Sequence, residues 1–361
     1  MHPRLWVLVL AAAFVVAPLP AAAERPQGSV IAWGCAFDDV GQCTVPAAAE
    51  SGVVAVEAAE FDSLALTKGG AVLAWGCAFD DVGQCSVPPE ASSGVVAISA
   101  GTWHSLALKS DGSVVAWGCH VIDFGSCNVP PDASSGATAI AAGQYDSLAV
   151  KDGRVIAWGC AYSDVGQCTV PAAAESGVVA VAAGPYHSLA LKSDGSVVAW
   201  GCTGGAPEPS DYGQCAVPAS ASSGVTAIAA GYVHSLALKS KGSVVAWGCG
   251  VFTVDFGQCS VPAVATSGVK AIAAGTYHSL ALKAGGVIAW GCQGASGLSG
   301  ACNVPATATR GITAIAASVH SLAVSRTPGK GTVVAASRRP GKVLPAGSRI
   351  DLTVSRGRRR R

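Results

Sequence analysis

Bulky side chains are scarce in this sequence, which has one Met, seven Phe and six Tyr among 361 residues. A core built mainly from them is excluded, so small and β-branched side chains must supply it, and these suit closely packed strands. Charge is also sparse, at 12% of residues against 50% apolar, which excludes disorder over most of the length and leaves ample material for a large core. No Cys-x-x-Cys, no phosphate-cradling Gly-rich loop and no metalloprotease motif occurs. Beyond residue 23 no apolar run is long enough to span a bilayer as a helix.

The net charge of +1 hides a division after Val324. Residues 24–324 carry 11 Lys and Arg against 21 Asp and Glu, whereas residues 325–361 carry 11 against one. The acidic body lacks a basic stripe to neutralise phosphates, which argues against nucleic-acid binding by it. Residues 1–23 read as a secretory signal peptide: Arg4 gives the positive start, Leu5 to Val16 the apolar run, and Ala21-Ala22-Ala23 a small-residue cleavage site. An uncleaved anchor is the alternative, but Pro18 and Pro20 interrupt it. A secreted or extracellular location is expected, with cell-surface association left open.

What is abundant is repetition. Trp-Gly-Cys occurs at Trp33, Trp75, Trp117, Trp158, Trp200, Trp247 and Trp290, at spacings of 42, 42, 41, 42, 47 and 43. On the same beat come Asp62-Ser63, His104-Ser105, Asp146-Ser147, His187-Ser188, His234-Ser235, His278-Ser279 and His320-Ser321. Within one repeat, Val95 to Ala100, Ser105 to Lys109 and Ser113 to Trp117 read as strands, and Asp111-Gly112 between the last two is a hairpin signal. Each repeat is a small antiparallel sheet that cannot bury its faces alone, which points to radial stacking. The first copy lacks the His-Ser strands and the last lacks the Trp-Gly-Cys strand. The expectation is therefore an all-β, seven-bladed β-propeller over residues 24–324, closed by strands from both termini, with a short basic C-terminal extension at 325–361. An open solenoid is the alternative.

The run Ala-Ala-Gly-x-Tyr-His-Ser-Leu-Ala-Leu-Lys-Ser-Asp-Gly-Ser-Val-Val-Ala-Trp-Gly at 182–201 resembles the repeat of the regulator of chromosome condensation (RCC1) family. With its Gly-Gln-x-x-Val-Pro ending it is most similar to the bacterial secreted, BLIP-II-like branch. The resemblance implies a seven-bladed propeller and a protein-binding role without naming the partner. Residues 331–357 resemble the second half of a PASTA module, which implies contact with a cell wall.

The chain departs from the family pattern after Trp-Gly, where a cysteine-bounded loop stands. Its 14 cysteines fall into local pairs: Cys35 with Cys43, Cys77 with Cys85, Cys119 with Cys127, Cys160 with Cys168, Cys202 with Cys215, Cys249 with Cys259, and Cys292 with Cys302. In an exported chain these read as disulfides. Zinc is the rival reading, but two thiols per repeat make half of a tetrahedral site. Asp39, Asp81, Asp123, Asp164, Asp211 and Asp255 in the loops suit turns better than Ca²⁺, which prefers more oxygens. No metal and no cofactor are expected.

The His-Ser pairs invite a hydrolase reading, yet a catalytic constellation is singular and these recur around the chain. They read instead as side chains bonding a neighbouring turn in every blade. The expected function is a secreted or cell-surface protein-binding scaffold, a monomer with no catalytic activity. The alternatives are a guanine-nucleotide exchange factor, or an extracellular polymer-binding or polymer-degrading protein. Strand direction puts the turn before His-Ser and the cysteine loop on one face. Candidate partner-binding residues there are Phe61, Trp103, Tyr145, Tyr186, Tyr232 and Tyr277, with Phe124, Tyr212, Phe252 and Phe256 from the loops. Packing of these rings between blades is the competing role. The basic tail, ending in Arg358 to Arg361, suits an acidic surface or cell wall.

Overall fold

The computed structural model describes residues 28–35, 39–78, 81–119, 124–161, 164–202, 211–250, 255–293 and 300–326, with the backbone of 333–336 and 352–354. The signal-peptide reading, Phe252 and most of the basic tail lie outside the described residues.

Strand β1 (Gly28–Trp33) precedes six consecutive units of three strands, five of them separate sheets and the first joined through β1 to the last two strands of the repeats in one six-stranded sheet. These are β2 (Val53–Ala58), β3 (Asp62–Thr67) and β4 (Val72–Gly76); β5 (Val95–Ala100), β6 (Ser105–Lys109) and β7 (Val114–Trp117); and β8 (Ala137–Ala142), β9 (Ser147–Lys151) and β10 (Arg154–Trp158). There follow β11 (Val178–Ala183), β12 (Ser188–Lys192) and β13 (Val197–Trp200); β14 (Val225–Ala230), β15 (Ser235–Lys239) and β16 (Val244–Trp247); and β17 (Val269–Ala274), β18 (Ser279–Lys283) and β19 (Gly286–Trp290). Strands β20 (Ile312–Ala317) and β21 (Ser321–Arg326) come last, and β1 pairs antiparallel with β21 from Gly28↔Arg326 to Trp33↔Ser321. Strand β21 thus runs two residues past the boundary expected at 324. Among the described residues there is no α-helix, and every unit is antiparallel. The first two strands of each unit carry one register shift, as between Val95 and Ala97.

Residue type explains the strands. The middle strands, such as Leu106-Ala107-Leu108, are buried on both faces, and their alternation of Leu and Ala lets neighbouring sheets approach closely. Apolar clusters form between units rather than within them. Leu64 and Ile98 pack with Trp117, Leu236 and Ile272 pack with Trp290, and Val30, Leu322 and Val324 pack with Val56 and Trp75. The tryptophan of each Trp-Gly-Cys therefore packs between units.

Glu57 breaks the pattern. It is a buried strand carboxyl at a position occupied by Ser99 in the next unit and by Ala141, Ala182, Ala229, Ala273 and Ala316 in the others, and burial raises its pKa well above the usual range. Glu57→Ala is expected to raise stability, most clearly at alkaline pH where the charged carboxylate is costliest, as read by denaturant unfolding.

All seven disulfides close within their own loops, with Cα–Cα distances of 6.0 to 6.2 Å and no free cysteine. Replacing both Cys202 and Cys215 by Ser is expected to cost about 2.5 to 3 kcal/mol by the chain-entropy estimate. Thermal unfolding checks this, and a loss several times larger would show that the loop carries more than its own closure.

Candidate binding face

One network repeats around the chain and explains the signature residues. The Trp75 indole Nε1 donates to the Gln42 carbonyl at 2.9 Å, Ser63 Oγ donates to the same carbonyl at 3.3 Å, and His320 Nε2 lies 2.8 Å from Ser63 Oγ. With the serine proton given to the carbonyl, the histidine must donate from Nε2. Each Trp of Trp-Gly-Cys reaches the preceding loop in this way, and Trp33 reaches Ala301 of the last one. The Gln side chain is spent inside the loop, where Gln42 Oε1 accepts from Val40 N at 2.6 Å. The loop aspartates do likewise: Asp39 Oδ1 accepts from Gly41 N and Asp81 Oδ1 from Gly83 N, which is turn formation. Among the described residues no three His, Cys, Asp or Glu gather as a metal site.

The histidines bond the serine of the next unit, in the pairs His104–Ser147, His187–Ser235, His234–Ser279, His278–Ser321 and His320–Ser63, at 2.8 to 3.0 Å. The partner is a strand serine, not the turn expected from the sequence. Burial drives the histidine pKa values down to about 3 to about 4. Where aspartate stands instead, the side chain falls short: both oxygens of Asp62 and of Asp146 are buried without a partner, as are Ser105 Oγ and Ser188 Oγ. Burial, reinforced by Asp81, pushes Asp62 up to about 8, and burial pushes Asp146 up to about 7.

The turn before His-Ser and the cysteine loop emerge together, because Ser63 pairs with Trp75 and Cys77 N donates to Phe61 O. Phe61, Trp103, Tyr145, Tyr186, Tyr232 and Tyr277 are all half-buried there. Phe61 contacts Trp103 at a ring separation of 5.1 Å, and loop residue Phe124 contacts Tyr145 at 4.8 Å. Tyr232 contacts both Tyr186 and Tyr277, Phe256 contacts Tyr277 at 4.9 Å, and the hydroxyls of Tyr186 and Tyr232 lie 3.0 Å apart. Tyr212 is half-buried in its loop, where its N donates to Gln214 Oε1 at 2.6 Å.

Tyr232 differs from the other five turn aromatics. It stands two residues before His234, with buried Val233 between, so it lines a central cavity of about 100 Å³ instead of sitting over its own unit. Glu60, Thr102, Gln144 and Thr276 line the same cavity from other units and were missed by a search for aromatics. Their signal is positional: each stands two residues before the His or Asp of its repeat.

Antiparallel sheets repeated with inter-unit cores, about a cavity lined from seven repeats, define a repeat protein of the β-propeller class. The profile of the regulator of chromosome condensation (RCC1) repeat matches residues 95–121, 178–204 and 225–258. Those three segments are thus similar to the RCC1 repeat. No curated protein matches the chain. Among solved structures, Prp20p from Saccharomyces cerevisiae, described with its binding to Gsp1p and histones, is similar at a TM-score of 0.62 and 20% identity, covering 85% of this chain and 93% of Prp20p. Human WBSCR16 gives a TM-score of 0.57 at 19% identity, covering 82% of this chain and 98% of that one. The ectodomain of the Physcomitrella patens receptor kinase CR4 gives 0.54 at 20%, covering 81% and 75%. These likenesses concern the fold, which is that of RCC1-type propellers.

Proposed function

We propose that the chain is an exported, seven-bladed ring closed by its two termini that serves as a protein-binding scaffold without catalysis of its own. Closure is supported by the six-residue pairing of β1 with β21 and by the His320–Ser63 and Trp33–Ala301 bonds, which join the last repeat to the first. Export is supported by the signal-like residues 1–23 and the seven disulfides, and it separates this reading from an exchange factor that meets an intracellular partner. The extracellular receptor ectodomain of similar fold is in keeping with it. The basic segment 325–361, in which Val333–Ala336 pairs with Leu352–Val354, suits attachment to an acidic surface such as a cell wall.

The observation that carries the reading is the division of labour among repeated residues. The recurring His, Ser and Trp groups are consumed between units, while the loops that differ from repeat to repeat share one face with the aromatic turns. Loops three, five and six differ most, and replacing their interiors with that of loop one is expected to abolish capture of partners from the extracellular fraction while leaving unfolding unchanged. Capture at undiminished yield would refute the face assignment.

A further inference from the structure

Charge is divided between the two ends of the units. The interiors of the seven cysteine loops hold nine Asp or Glu and no Lys or Arg. At the opposite end four of the middle strands finish on lysines, Lys109, Lys192, Lys239 and Lys283, whose ammonium groups lie on backbone carbonyls, as Lys192 does on Ala173 O at 3.0 Å and Lys283 on Val264 O at 2.8 Å. Arg154 is likewise paired there, with Asp132 at 3.0 Å.

The loop end also has a receptacle. Glu60 enters the central cavity from one unit and Tyr232 from another; burial raises the pKa of both Tyr232 and Tyr277, and Glu60 adds a smaller part to each rise. Two polar atoms in this region are buried without a partner, Gln144 Oε1 and Trp103 Nε1, and Gln144 lines the cavity. A carboxylate among phenol rings in a narrow opening matches a guanidinium or ammonium head group. Such a cation gains from ring faces and from the charged acceptor together. Among the described residues, the loop carboxylates Asp39, Asp81, Asp164, Asp211 and Asp255 each have one oxygen fixed by a Gly N–H, so they form a spaced array of charge and not a chelating cluster.

We infer that this face docks a cationic polypeptide segment, with one Arg or Lys seated in the central opening between Glu60 and Tyr232 and further basic residues over the loop aspartates. This rests on reading the loop face as the binding surface. It is tested with the full chain and a labelled Gly-Ser peptide carrying several Arg, followed by fluorescence anisotropy, against the same peptide with Glu in place of Arg. The Arg peptide is expected to bind, to weaken about tenfold between about 50 and 300 mM salt, and to lose about tenfold on Glu60→Gln. Asp81→Asn and Asp164→Asn keep the turn-forming oxygen, and are expected to weaken binding and flatten its salt dependence while thermal unfolding stays put. Asp111→Asn and Asp194→Asn, at the other end of the units, are expected to change nothing. Equal binding of the Glu peptide, or indifference to Glu60→Gln, overturns the inference. Binding that appears only after residues 327–361 are removed supports the cationic docking and makes the chain's own basic tail its occupant. If no peptide binds while the loop replacements still abolish capture, the face stands and its cationic partner does not.

Discussion

Stability against denaturant is expected to peak near pH 6.5 and to fall on both sides. Five buried histidines have folded pKa values lowered by desolvation to between about 3 and about 4, from an ordinary 6.5. Between those limits the unfolded chain binds more protons, so each histidine withdraws about 1.4 kcal/mol per pH unit as pH drops below 6.5. Asp62 and Asp146 act in the opposite sense, because burial raises them to about 8 and about 7, with Asp81 and Asp164 nearby adding to the rise. Their contribution is complete below the ordinary carboxylate pKa and is lost as pH rises, ending at the folded values. Below pH 6.5 five histidines oppose three raised carboxyls, Asp62, Asp146 and Glu57, for a net loss of roughly 3 kcal/mol per unit of acidification. Above it Asp62 and Asp146 give up roughly 2.5 kcal/mol by pH 8, partly offset by roughly 2 kcal/mol from the last protons leaving the unfolded histidines, after which the curve flattens. Glu57 adds to the alkaline loss. Urea unfolding at about pH 5, 6.5 and 8 checks this. Asp62→Asn with Asp146→Asn is expected to shrink the alkaline limb and leave the acid limb in place. Stability that keeps rising beyond pH 8 would mean that both carboxyls are ionised in the folded chain.

The parts of this fold legible in the sequence are those set by neighbours along the chain. Strands β5 and β6 fall where Val95 to Ala100 and Ser105 to Lys109 predict them, because a tight Asp111-Gly112 turn and local alternation decide them. The cysteine pairs are legible for the same reason, each closing within one loop. That the turn before His-Ser and the cysteine loop share one end of the units follows from strand direction and agrees with the register of Ser63 against Trp75. What was not legible depends on contacts about one repeat apart. The partner of His104 is Ser147, 43 residues on, and nothing near His104 announces it. Tyr232 was grouped with Tyr186 by residue type, yet one position of register in a turn moves a side chain from over its unit to the central cavity. The last repeat hides a similar shift: Ser318 N bonds His320 O two residues on, where Gly275 N bonds His278 O three residues on. Glu60 has only its repeat position to mark it, because the residue type there changes from one repeat to the next.

Asp146→His is expected to stabilise the protein, and Asp62→His to destabilise it, although both complete the same histidine–serine ring. In four of the five histidine units the imidazole sits against a glycine three residues earlier, while His320 follows Ala317 through a turn one residue shorter. A Cβ added at Gly101, Gly184, Gly231 or Gly275 would stand 2.5 to 3.0 Å from Cε1 of the histidine three residues later, a separation that forces one of them to move. The residue three before Asp146 is Gly143, so an imidazole fits there as in those units. It brings Nε2 to Ser188 Oγ and removes two buried carboxyl oxygens that lack partners, worth about 2 to 3 kcal/mol. The residue three before Asp62 is Ala59, whose methyl occupies the space the ring needs. There the hydrogen bond to Ser105 is offset by overpacking of about 1 to 3 kcal/mol or more, and the imidazole is displaced from the serine. Ala59→Gly with Asp62→His is expected to recover the gain, whereas Ala59→Gly alone costs about 0.5 to 1 kcal/mol, as glycine in a strand end normally does. Urea unfolding of the four variants near pH 6.5 measures each step, and the double variant must exceed the sum of its singles for the methyl to be the cause. If Asp62→His proves as stabilising alone as Asp146→His, the turn at Ala59 yields freely and the pairing of glycine with histidine has another origin.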